Sequence, residues 1–507
     1  MLNLTSHVRF HARVRPGEDA VIYGDLRLSW AEFLARVEAT AGGLKAAGIG
    51  PDSVVALVMK NSVAFLELLY ATSHLGAVIL PINFRLSGEE VAYIAGDAGV
   101  ALILADEEFR PTLAGLETPV IHLDAAAQAE AARALPRAAP ATRPERRESG
   151  DLMRLMYTSG TTDRPKGVTH SYENFYFKNH DLIQALQLTA KDRLCVAGPL
   201  YHVGACDLPG LAVHQAGGAL VVLRDFDPGA VVETIAAERI TGIWLAPVMT
   251  SAILTLDRAA LPDLTSLRWC VAGGERTPEN RIRDFAATFP SARYIDAYGM
   301  TETVSGDTLM EPGREIDKIG SVGRPVSLVE LEIRDETGAP LPAGVAGEIC
   351  MRGPKVTKGY WKDPERTAAA LFADGFFRSG DVGYLDEDGF LFLTDRKKDM
   401  IISGGENIAS SEVERVLFTM PEIFDVAVIA QPHERWGEVP LAVVVLRPGA
   451  ELDFDRLNAF CRERLAGFKC PKALRIVESL PRNPSGKVLK RVLRDLAAPA
   501  GPEQSGR

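Results

Sequence analysis

The residues best suited to chemistry in this 507-residue chain lie first in a loop that follows the apolar run 152–157. The loop reads Thr-Ser-Gly-Thr-Thr-Asp-Arg-Pro-Lys-Gly over residues 158–167 and offers hydroxyl and amide donors. Its glycines let the backbone approach oxygens closely, and Lys166 adds a point charge, so the loop suits a polyphosphate. Pro165 stands where a Walker loop has glycine. A plain surface turn would explain the hydroxyls but not the Pro-Lys-Gly ending.

A second group of polar side chains, Tyr298-Gly-Met-Thr-Glu302, directly follows the strand-like run 294–297. The ring of Tyr298 can stack on adenine, and Thr301 can donate to an α-phosphate. Glu302 can hold Mg²⁺, which prefers oxygen ligands and phosphate partners. Together, the two segments predict a site for a nucleotide and its metal ion.

Both segments resemble motifs of the acyl-adenylate-forming superfamily, which includes acyl-CoA synthetases, aryl-CoA ligases, luciferases and peptide-synthetase adenylation domains. The family pattern Tyr-Thr-Ser-Gly-Thr-Thr-Gly-x-Pro-Lys-Gly is met over 157–167 with one departure, Asp163. Aspartate tolerates left-handed backbone angles better than most residues, so the loop can keep its shape. Its negative charge beside a phosphate site would alter ATP affinity or loop mobility.

The resemblance implies which residues bind ATP or AMP. They are Thr158, Ser159, Gly160, Thr161, Thr162, Lys166, Gly273, Gly274, Glu275, Tyr298, Gly299, Thr301, Asp381 and Arg396. Thr158 and Glu302 are the predicted Mg²⁺ ligands. Asp381 would accept hydrogen bonds from both ribose hydroxyls, which suits its two acceptor oxygens. Taken alone, the charged segment around Arg396 would be read as a solvated surface.

The resemblance also implies four catalytic residues, Lys166, Thr301, Glu302 and Lys487. A carboxylate must approach a negatively charged α-phosphate, so cations are needed to offset the repulsion. Lys398 is the predicted hinge of a small C-terminal domain. Rotation about it would withdraw Lys487 and present Gly404 and Gly405 to the thiol step.

Candidates for an acyl pocket follow two predicted strands and are Tyr201, His202, Val203, Gly204, Trp244, Val248 and Met249. A lone histidine is usually structural, but the family places a histidine or aromatic residue here, so we interpret His202 as a pocket residue and not as a general base. Gly204 is expected to leave room for a ring or chain. No cation is evident to pair a second carboxylate, so we predict a monocarboxylic acid, either fatty or aromatic.

The elements that must position these residues follow from periodicity. Apolar strands alternate with helical patterns from residue 30 to 105, a βαβ rhythm that predicts a parallel sheet flanked by helices. A further helix is expected over 170–186, after the phosphate loop. The fold class predicted is α/β, with a large N-terminal domain (1–397) of parallel-rich sheets flanked by helices plus a β-rich subdomain from residue 320. A small, mobile α+β C-terminal domain (398–507) completes it.

Composition limits the partners. A net charge of -11 argues against a nucleic-acid partner, which would favour a basic face. The six cysteines are scattered without a close-spaced pair, so neither a zinc site nor a disulfide framework is indicated. No signal-peptide core and no apolar run of membrane-spanning length is present, so we expect a cytoplasmic protein with no integral membrane segment. Whether it is a monomer or a homodimer stays open.

The predicted function is an ATP-dependent carboxylate–CoA ligase that forms an acyl-AMP and uses ATP, Mg²⁺ and coenzyme A. Trp436 is a candidate for stacking on part of the coenzyme. One alternative is loading of a separate carrier protein, and another is luciferase-like oxidation. The third is a catalytically silent nucleotide-binding homologue, which Asp163 favours. The intact functional residues argue against it: Lys166, Glu302, Asp381, Arg396 and Lys487.

Overall fold

The computed structural model describes residues 3–128, 130–158, 164–273, 277, 279–396, 399–403, 406–433, 435–482 and 488–497. The strands are β1 (Asp19–Tyr23), β2 (Leu26–Ser29), β3 (Val54–Val58), β4 (Val78–Pro81), β5 (Val100–Asp106), β6 (Val120–Leu123), β7 (Leu152–Thr158), β8 (Lys166–Ser171), β9 (Arg193–Val196), β10 (Ala219–Val222), β11 (Gly242–Leu245), β12 (Trp269–Gly273), β13 (Arg293–Tyr298), β14 (Thr308–Leu309), β15 (Arg324–Pro325), β16 (Glu330–Arg334), β17 (Gly347–Arg352), β18 (Phe377–Leu385), β19 (Leu391–Arg396), β20 (Ile401–Ser403), β21 (Glu406–Ile408), β22 (Ile423–His433), β23 (Gly437–Leu446) and β24 (Ala473–Ile476).

The helices are α1 (Thr5–Val14), α2 (Trp30–Ala46), α3 (Val63–His74), α4 (Gly88–Ala98), α5 (Tyr172–Ala185), α6 (Val203–Ala205), α7 (Ala212–Ala216), α8 (Pro228–Ala237), α9 (Pro247–Leu254), α10 (Glu279–Thr288), α11 (Pro364–Ala369), α12 (Ser410–Leu417), α13 (Phe454–Arg462) and α14 (Lys490–Ala497). Of the helices in the described ranges, none combines the length and the apolar character that a membrane crossing needs.

Contacts divide the chain into two compact units. The first unit is Met1–Leu331 with Met351–Arg378, and the second is Glu332–Cys350 with Ser379–Arg507. The first contains two large sheets flanked by helices. The prediction of a domain boundary near Lys398, which lies outside the described residues, stays a prediction.

The first sheet has the strand order β6-β5-β3-β4-β7-β8 and is parallel except at β8, which pairs antiparallel with β7. β3 is buried at all five positions, as expected for a parallel strand covered on both faces. The helix expected over 170–186 begins only at Tyr172, because Lys166–Ser171 forms β8. Thr158 and Lys166 face each other in the β7–β8 pairing, which places both at the end of the hairpin where the chain passes from β7 to β8.

The second sheet has the order β15-β14-β13-β12-β11-β9-β10-β1-β2, with parallel strands from β13 to β1 and antiparallel strands at its edges. Gly273, which ends β12, and the Tyr298–Glu302 segment at the end of β13 lie at neighbouring carboxyl ends of parallel strands. Open α/β sheets bind ligands at this edge.

Buried rings join the N-terminal helix α1 to the helices α3 and α7 and to the strand β1 within the first unit. The imidazole of His214 donates to the carbonyl of Ala20 (3.0 Å), accepts from Tyr70 (2.8 Å), and the Tyr70 oxygen accepts from His7 (3.2 Å). Trp30 packs on His214 with ring centroids 4.6 Å apart. Burial lowers the pKa of His214 to about 3, and burial together with His214 lowers the pKa of His7 well below its ordinary value.

The second unit contains a sheet of order β21-β20-β23-β22, with β24 parallel to β23. Its core lies between this sheet and the helices α12 and α13, where Val413, Leu417, Leu457 and Cys461 are fully buried. The predicted β-rich part is the four-stranded sheet β16-β17-β18-β19. The predicted fold class, α/β with parallel-rich sheets, a β-rich subdomain and a small C-terminal domain, is confirmed.

Candidate active site

A lysine, a glutamate and a tyrosine form the central cluster of the candidate site. The ammonium of Lys166 lies 2.9 Å from Oε1 of Glu302 and donates to the hydroxyl of Tyr360 over 2.7 Å. That hydroxyl donates to the same Oε1 over 3.0 Å. Glu302 is 4% exposed, whereas the Lys166 side chain is 21% exposed. The structure therefore brings together two of the predicted catalytic residues.

Tyr360 is a member of this cluster that the sequence did not reveal. It lies beside Lys166 because a bridge joins Tyr360 to Val168, and the N–H of Trp361 donates to Gly167. Burial and the Glu302 carboxylate raise the pKa of the Tyr360 hydroxyl, so it is a donor at neutral pH. Its signal was the Gly359-Tyr-Trp361 segment, which pattern alone identifies only as a glycine turn.

The cluster offers oxygen ligands of the kind that Mg²⁺ prefers. The hydroxyl oxygen of Thr158 is buried and has no hydrogen-bond partner among the residues that the structure describes. Buried polar atoms are almost always paired, so a hydroxyl at the end of β7 that the described residues leave unpaired is available to a ligand. Thr158 and Glu302 provide one hydroxyl and one carboxylate, a donor set that fits a hard divalent cation carrying phosphate oxygens.

A buried histidine fixes the backbone of Thr301. Nε2 of His170 lies 2.7 Å from the Thr301 carbonyl, and Nδ1 lies 3.1 Å from Nε of Arg154. Arginine can only donate, so Nδ1 must be the acceptor and the proton must be on Nε2, which donates to Thr301. Burial, then the Arg154 charge, lowers the pKa of His170 well below its ordinary value, which keeps this tautomer neutral.

Arg154 is itself held in a sealed ion pair. Its guanidinium donates to both oxygens of Asp207, over 3.0 and 2.6 Å, and side-chain exposures are 1% and 0%. The same guanidinium lies 4.5 Å from the ring centroid of Phe175. Two-point bonding of this kind gives a rigid support, which orients His170 and through it Thr301.

Two of the predicted nucleotide-binding residues, Gly273 and Gly299, lie where the backbone leaves no room for a side chain. A Cβ added to Gly273 would lie 2.8 Å from the carbonyl oxygen of Ala297, and one on Gly299 would lie 2.5 Å from the backbone nitrogen of Gly306. Tyr298 is 8% exposed at the end of β13. These residues therefore lie at the carboxyl edge of the second sheet, as the motif predicts.

Two of the acyl-pocket candidates, His202 and Gly204, lie beside the indole ring of a third, Trp244. A Cβ on Gly204 would lie 2.3 Å from the Trp244 ring, and one on Gly198 would lie 2.6 Å from it. We expected Gly204 to leave room for a substrate, and this is corrected: Trp244 occupies that space. His202 does not project freely, because its Nδ1 accepts from the N–H of Gly204 over 3.0 Å.

The other acyl-pocket candidates differ in exposure. Tyr201, Val203 and Met249 are buried, whereas Val248 is 53% exposed. Their assignment to an acyl pocket stays a prediction.

In the second unit, Asp381 on β18 pairs in register with Arg396 on β19, although the side chain of Arg396 lies outside what the structure describes. Trp436 is 43% exposed, and the guanidinium of Arg435 lies 4.7 Å from its ring centroid. Several predicted site residues lie outside the described residues: Ser159, Gly160, Thr161, Thr162, Asp163, Gly274, Glu275, Lys398, Gly404, Gly405 and Lys487. Their roles stay predictions.

Comparison with known proteins identifies the family. The AMP-binding enzyme model matches residues 8–361, and the AMP-binding enzyme C-terminal domain model matches residues 412–487. A feruloyl-CoA synthase of an Amycolatopsis species is 39% identical over 485 residues, which are 95% of this chain and 96% of that protein. A 2-succinylbenzoate–CoA ligase of Geobacillus kaustophilus is 36% identical over 497 residues and 98% of both chains.

Among solved structures, ATP-bound MatB from Rhodopseudomonas palustris superposes with a TM-score of 0.91 and 31% sequence identity, covering 98% of this chain and 99% of that one. These matches confirm the predicted superfamily and the predicted class of enzyme, an AMP-forming acid–thiol ligase. They extend over the whole region that carries the two motifs. The chain therefore belongs to the AMP-binding enzyme family.

Proposed function

We propose that the protein activates a monocarboxylic acid with ATP and transfers the acyl group to coenzyme A. In the first step a carboxylate oxygen bonds to the α-phosphorus and pyrophosphate leaves. In the second step a thiolate attacks the acyl carbon and AMP leaves. The observation that carries this proposal is the Lys166–Glu302–Tyr360 cluster beside the hydroxyl of Thr158, which the described residues leave unpaired.

Two anions must meet in the first step, so the site has to supply positive charge. In the structure, Lys166 is held by Glu302 through a contact of 2.9 Å. With a nucleotide bound, Lys166 would leave Glu302 for the phosphates, and the Glu302 carboxylate would be free to serve as a metal ligand. Mg²⁺, held by Thr158 and Glu302, would supply Lewis-acid stabilisation of the phosphate charge. Tyr360 would keep one hydrogen bond to Glu302 throughout and so limit its movement.

The remaining roles are proposed from the resemblance. Lys487 supplies the second cation of the adenylation step, and Asp381 and Arg396 bind the ribose. Lys398 is the hinge about which the C-terminal domain turns between the adenylation step and the thiol step. Three residues would contact coenzyme A: Gly404, Gly405 and Trp436. CoA ligases among the relatives support coenzyme A as the thiol, and we place the enzyme in the cytoplasm.

Of the two acid classes, we favour an aromatic acid. Trp244 is 8% exposed, and its ring fills the space beside Gly198 and Gly204. A flat indole wall favours offset or edge contact with an aromatic ring. The feruloyl-CoA synthase similarity supports the same choice.

The test is pyrophosphate release by the purified protein with ATP and Mg²⁺ across matched panels of aryl and fatty acids. We expect acid-dependent release without coenzyme A, and AMP with an aryl thioester when coenzyme A is added. Acyl-AMP that forms but is not passed to coenzyme A would favour the carrier-protein alternative. Oxygen uptake would favour a luciferase-like reaction. No acid-dependent release from either panel would contradict the proposal.

A further inference from the structure

The segment after Glu302 turns with left-handed backbone angles. Val304, Ser305 and Gly306, which we call the 304–306 turn, have φ of 55°, 66° and 70°. Glycine adopts these angles freely, but a β-branched residue such as Val304 rarely does. A turn of this kind persists only where surrounding groups hold it, and such turns cluster at functional sites.

One buried lysine holds this turn. The ammonium of Lys355 donates to the carbonyls of Ser305 (2.9 Å) and Gly306 (2.6 Å). It also lies 3.0 Å from Oδ1 of Asp307, in an ion pair that is not an aligned hydrogen bond. Both side chains are 0% exposed. A lysine survives such burial only when its charge is paired and its protons have acceptors, and Lys355 meets both conditions.

Asp307 connects the lysine to the start of the Tyr298–Glu302 motif. Its backbone N–H donates to the carbonyl of Tyr298 over 2.8 Å, and its Oδ2 accepts a short hydrogen bond from Thr303. The oxygen of Thr303 in turn accepts from the N–H of Met300 over 3.2 Å. The two residues Lys355 and Asp307, which we call the lysine clamp, thus reach the backbone on both sides of Thr301 and Glu302.

We propose that the lysine clamp is a pair of positioning residues for the adenylation step. It locks the 304–306 turn and thereby presents the Thr301 hydroxyl and the Glu302 carboxylate to the nucleotide. This inference rests on the proposed function, because that function gives Thr301 and Glu302 their tasks. Lys355 reaches the motif through two backbone carbonyls, and Asp307 reaches it through its own N–H and the Thr303 hydroxyl.

Asp307→Asn and Lys355→Met are the informative variants. Asp307→Asn keeps both carbonyl bonds of Lys355 and should fold. Displacement of catalytic groups by about 1 Å can cost ~10²-fold in rate, so we expect kcat/KM for Mg-ATP to fall roughly 10-fold in Asp307→Asn and about 10²-fold in Lys355→Met. The Mg²⁺ concentration for half-maximal rate should rise, while KM for the carboxylic acid stays unchanged.

Matched controls come from a buried pair elsewhere in the first unit. Arg36 and Glu67 lie 2.6 Å apart, with Glu67 fully buried, and join α2 to α3. Arg36→Met and Glu67→Gln should lower the thermal unfolding midpoint as the clamp variants do, but leave kcat/KM and the Mg²⁺ dependence unchanged where the protein is folded.

Two results would overturn the inference. One is that activity falls in proportion to stability, and by the same amount, in the clamp variants and in the control variants. The other is a clamp variant that folds and keeps the wild-type kcat/KM for Mg-ATP and the wild-type Mg²⁺ dependence. An absence of pyrophosphate release from the wild-type protein would instead refute the proposed function, and this inference with it.

Discussion

Two lysine–carboxylate pairs lie on either side of one turn, and they differ in what surrounds them. Lys166–Glu302 and Lys355–Asp307 have almost equal contact distances, 2.9 and 3.0 Å. The first is reached by solvent through a lysine that is 21% exposed, whereas both members of the second are sealed. The contact distance alone therefore does not show which of the two ion pairs separates during the reaction.

Burial and accompanying bonds make the distinction. Opening a sealed pair leaves a charge in a medium that cannot solvate it, which costs several kcal/mol. A pair at the surface is worth about 1 kcal/mol or less. Lys166–Glu302 lies between these limits, because its lysine side chain is 21% exposed and its glutamate side chain 5% exposed. The difference suggests a division of labour, in which Lys166–Glu302 changes partners during turnover and Lys355–Asp307 does not.

The largest expected effect is on Lys166. Lys166→Met should lower acid-dependent pyrophosphate release about 10³-fold, because a preorganised cation aimed at developing charge is worth that much. Its free energy of unfolding should fall by less than the ~3 kcal/mol expected for a sealed pair, because Lys166 is 21% exposed and Glu302 keeps its hydrogen bond from Tyr360. Both quantities are measured on one preparation, by pyrophosphate release and by urea denaturation.

Lys358→Met is the control for this prediction, because Lys358 is 61% exposed and pairs with Glu173 on the surface. It should leave both quantities unchanged. Retention of more than a tenth of the activity by Lys166→Met would show that the accessible pair is not catalytic.

For a sealed pair, we expect a substitution to lower the free energy of unfolding strongly. Arg154→Met leaves the Asp207 carboxylate buried without its partner, which should cost about 3 kcal/mol or more of folding free energy, measured by urea denaturation. Arg283→Met is the matched change in an exposed pair with Glu279, and it should cost less than about 0.5 kcal/mol. Equal costs would mean that burial does not separate the two kinds of pair.

A buried histidine, His214, extends the comparison to the pH dependence of the free energy of unfolding. The folded pKa of His214, about 3, lies below its unfolded value, so the unfolded chain binds more protons as the pH falls below about 6.5. Stability is therefore fully present above that pH and declines below it. At pH 5 the loss should be about 2 kcal/mol for this histidine alone.

His214→Phe removes that proton and should reduce the decline in the free energy of unfolding between pH 7.5 and pH 5 by about 2 kcal/mol. His180→Phe replaces an exposed histidine of α5; it serves as the control and should keep the wild-type slope. An unchanged slope in His214→Phe would show that His214 is not the group that binds the proton.

The smallest effect is expected at Tyr360. Tyr360→Phe removes one hydrogen bond to a charged carboxylate, worth about 1.5 kcal/mol, so kcat/KM for Mg-ATP should fall roughly 10-fold. Tyr176→Phe removes a structural bond of similar length, 2.8 Å to the carbonyl of Asn3, and should not change that constant. Loss of activity as large as that of Lys166→Met would make Tyr360 a catalytic group instead.

Much of the fold and part of the site could be predicted from local pattern. Apolar runs separated by helical periodicity gave the parallel sheets, and the motifs around Lys166 and Glu302 have side chains whose chemistry can be recognised from residue type. The strand β8 was not predicted, because its sequence Lys-Gly-Val-Thr-His-Ser has little strand character and depends on pairing with β7.

The residues that support the site could not be predicted from the sequence, because their partners lie far away along the chain. Lys355 is 49 or more positions from the carbonyls it binds, and Arg154 is 53 positions from Asp207. A lysine in a polar stretch ordinarily indicates solvent exposure, and only the tertiary structure shows that this one is sealed. Tyr360 likewise depends on the bridge to Val168.

A crystal structure with Mg²⁺ and a non-hydrolysable ATP analogue would test the central claim most directly. We predict that the Lys166 ammonium and the Glu302 carboxylate separate beyond the ion-pair limit of about 4 Å, while Lys355 and Asp307 stay in contact. A bound analogue with the Lys166–Glu302 pair still closed, or with the lysine clamp open, would contradict the account.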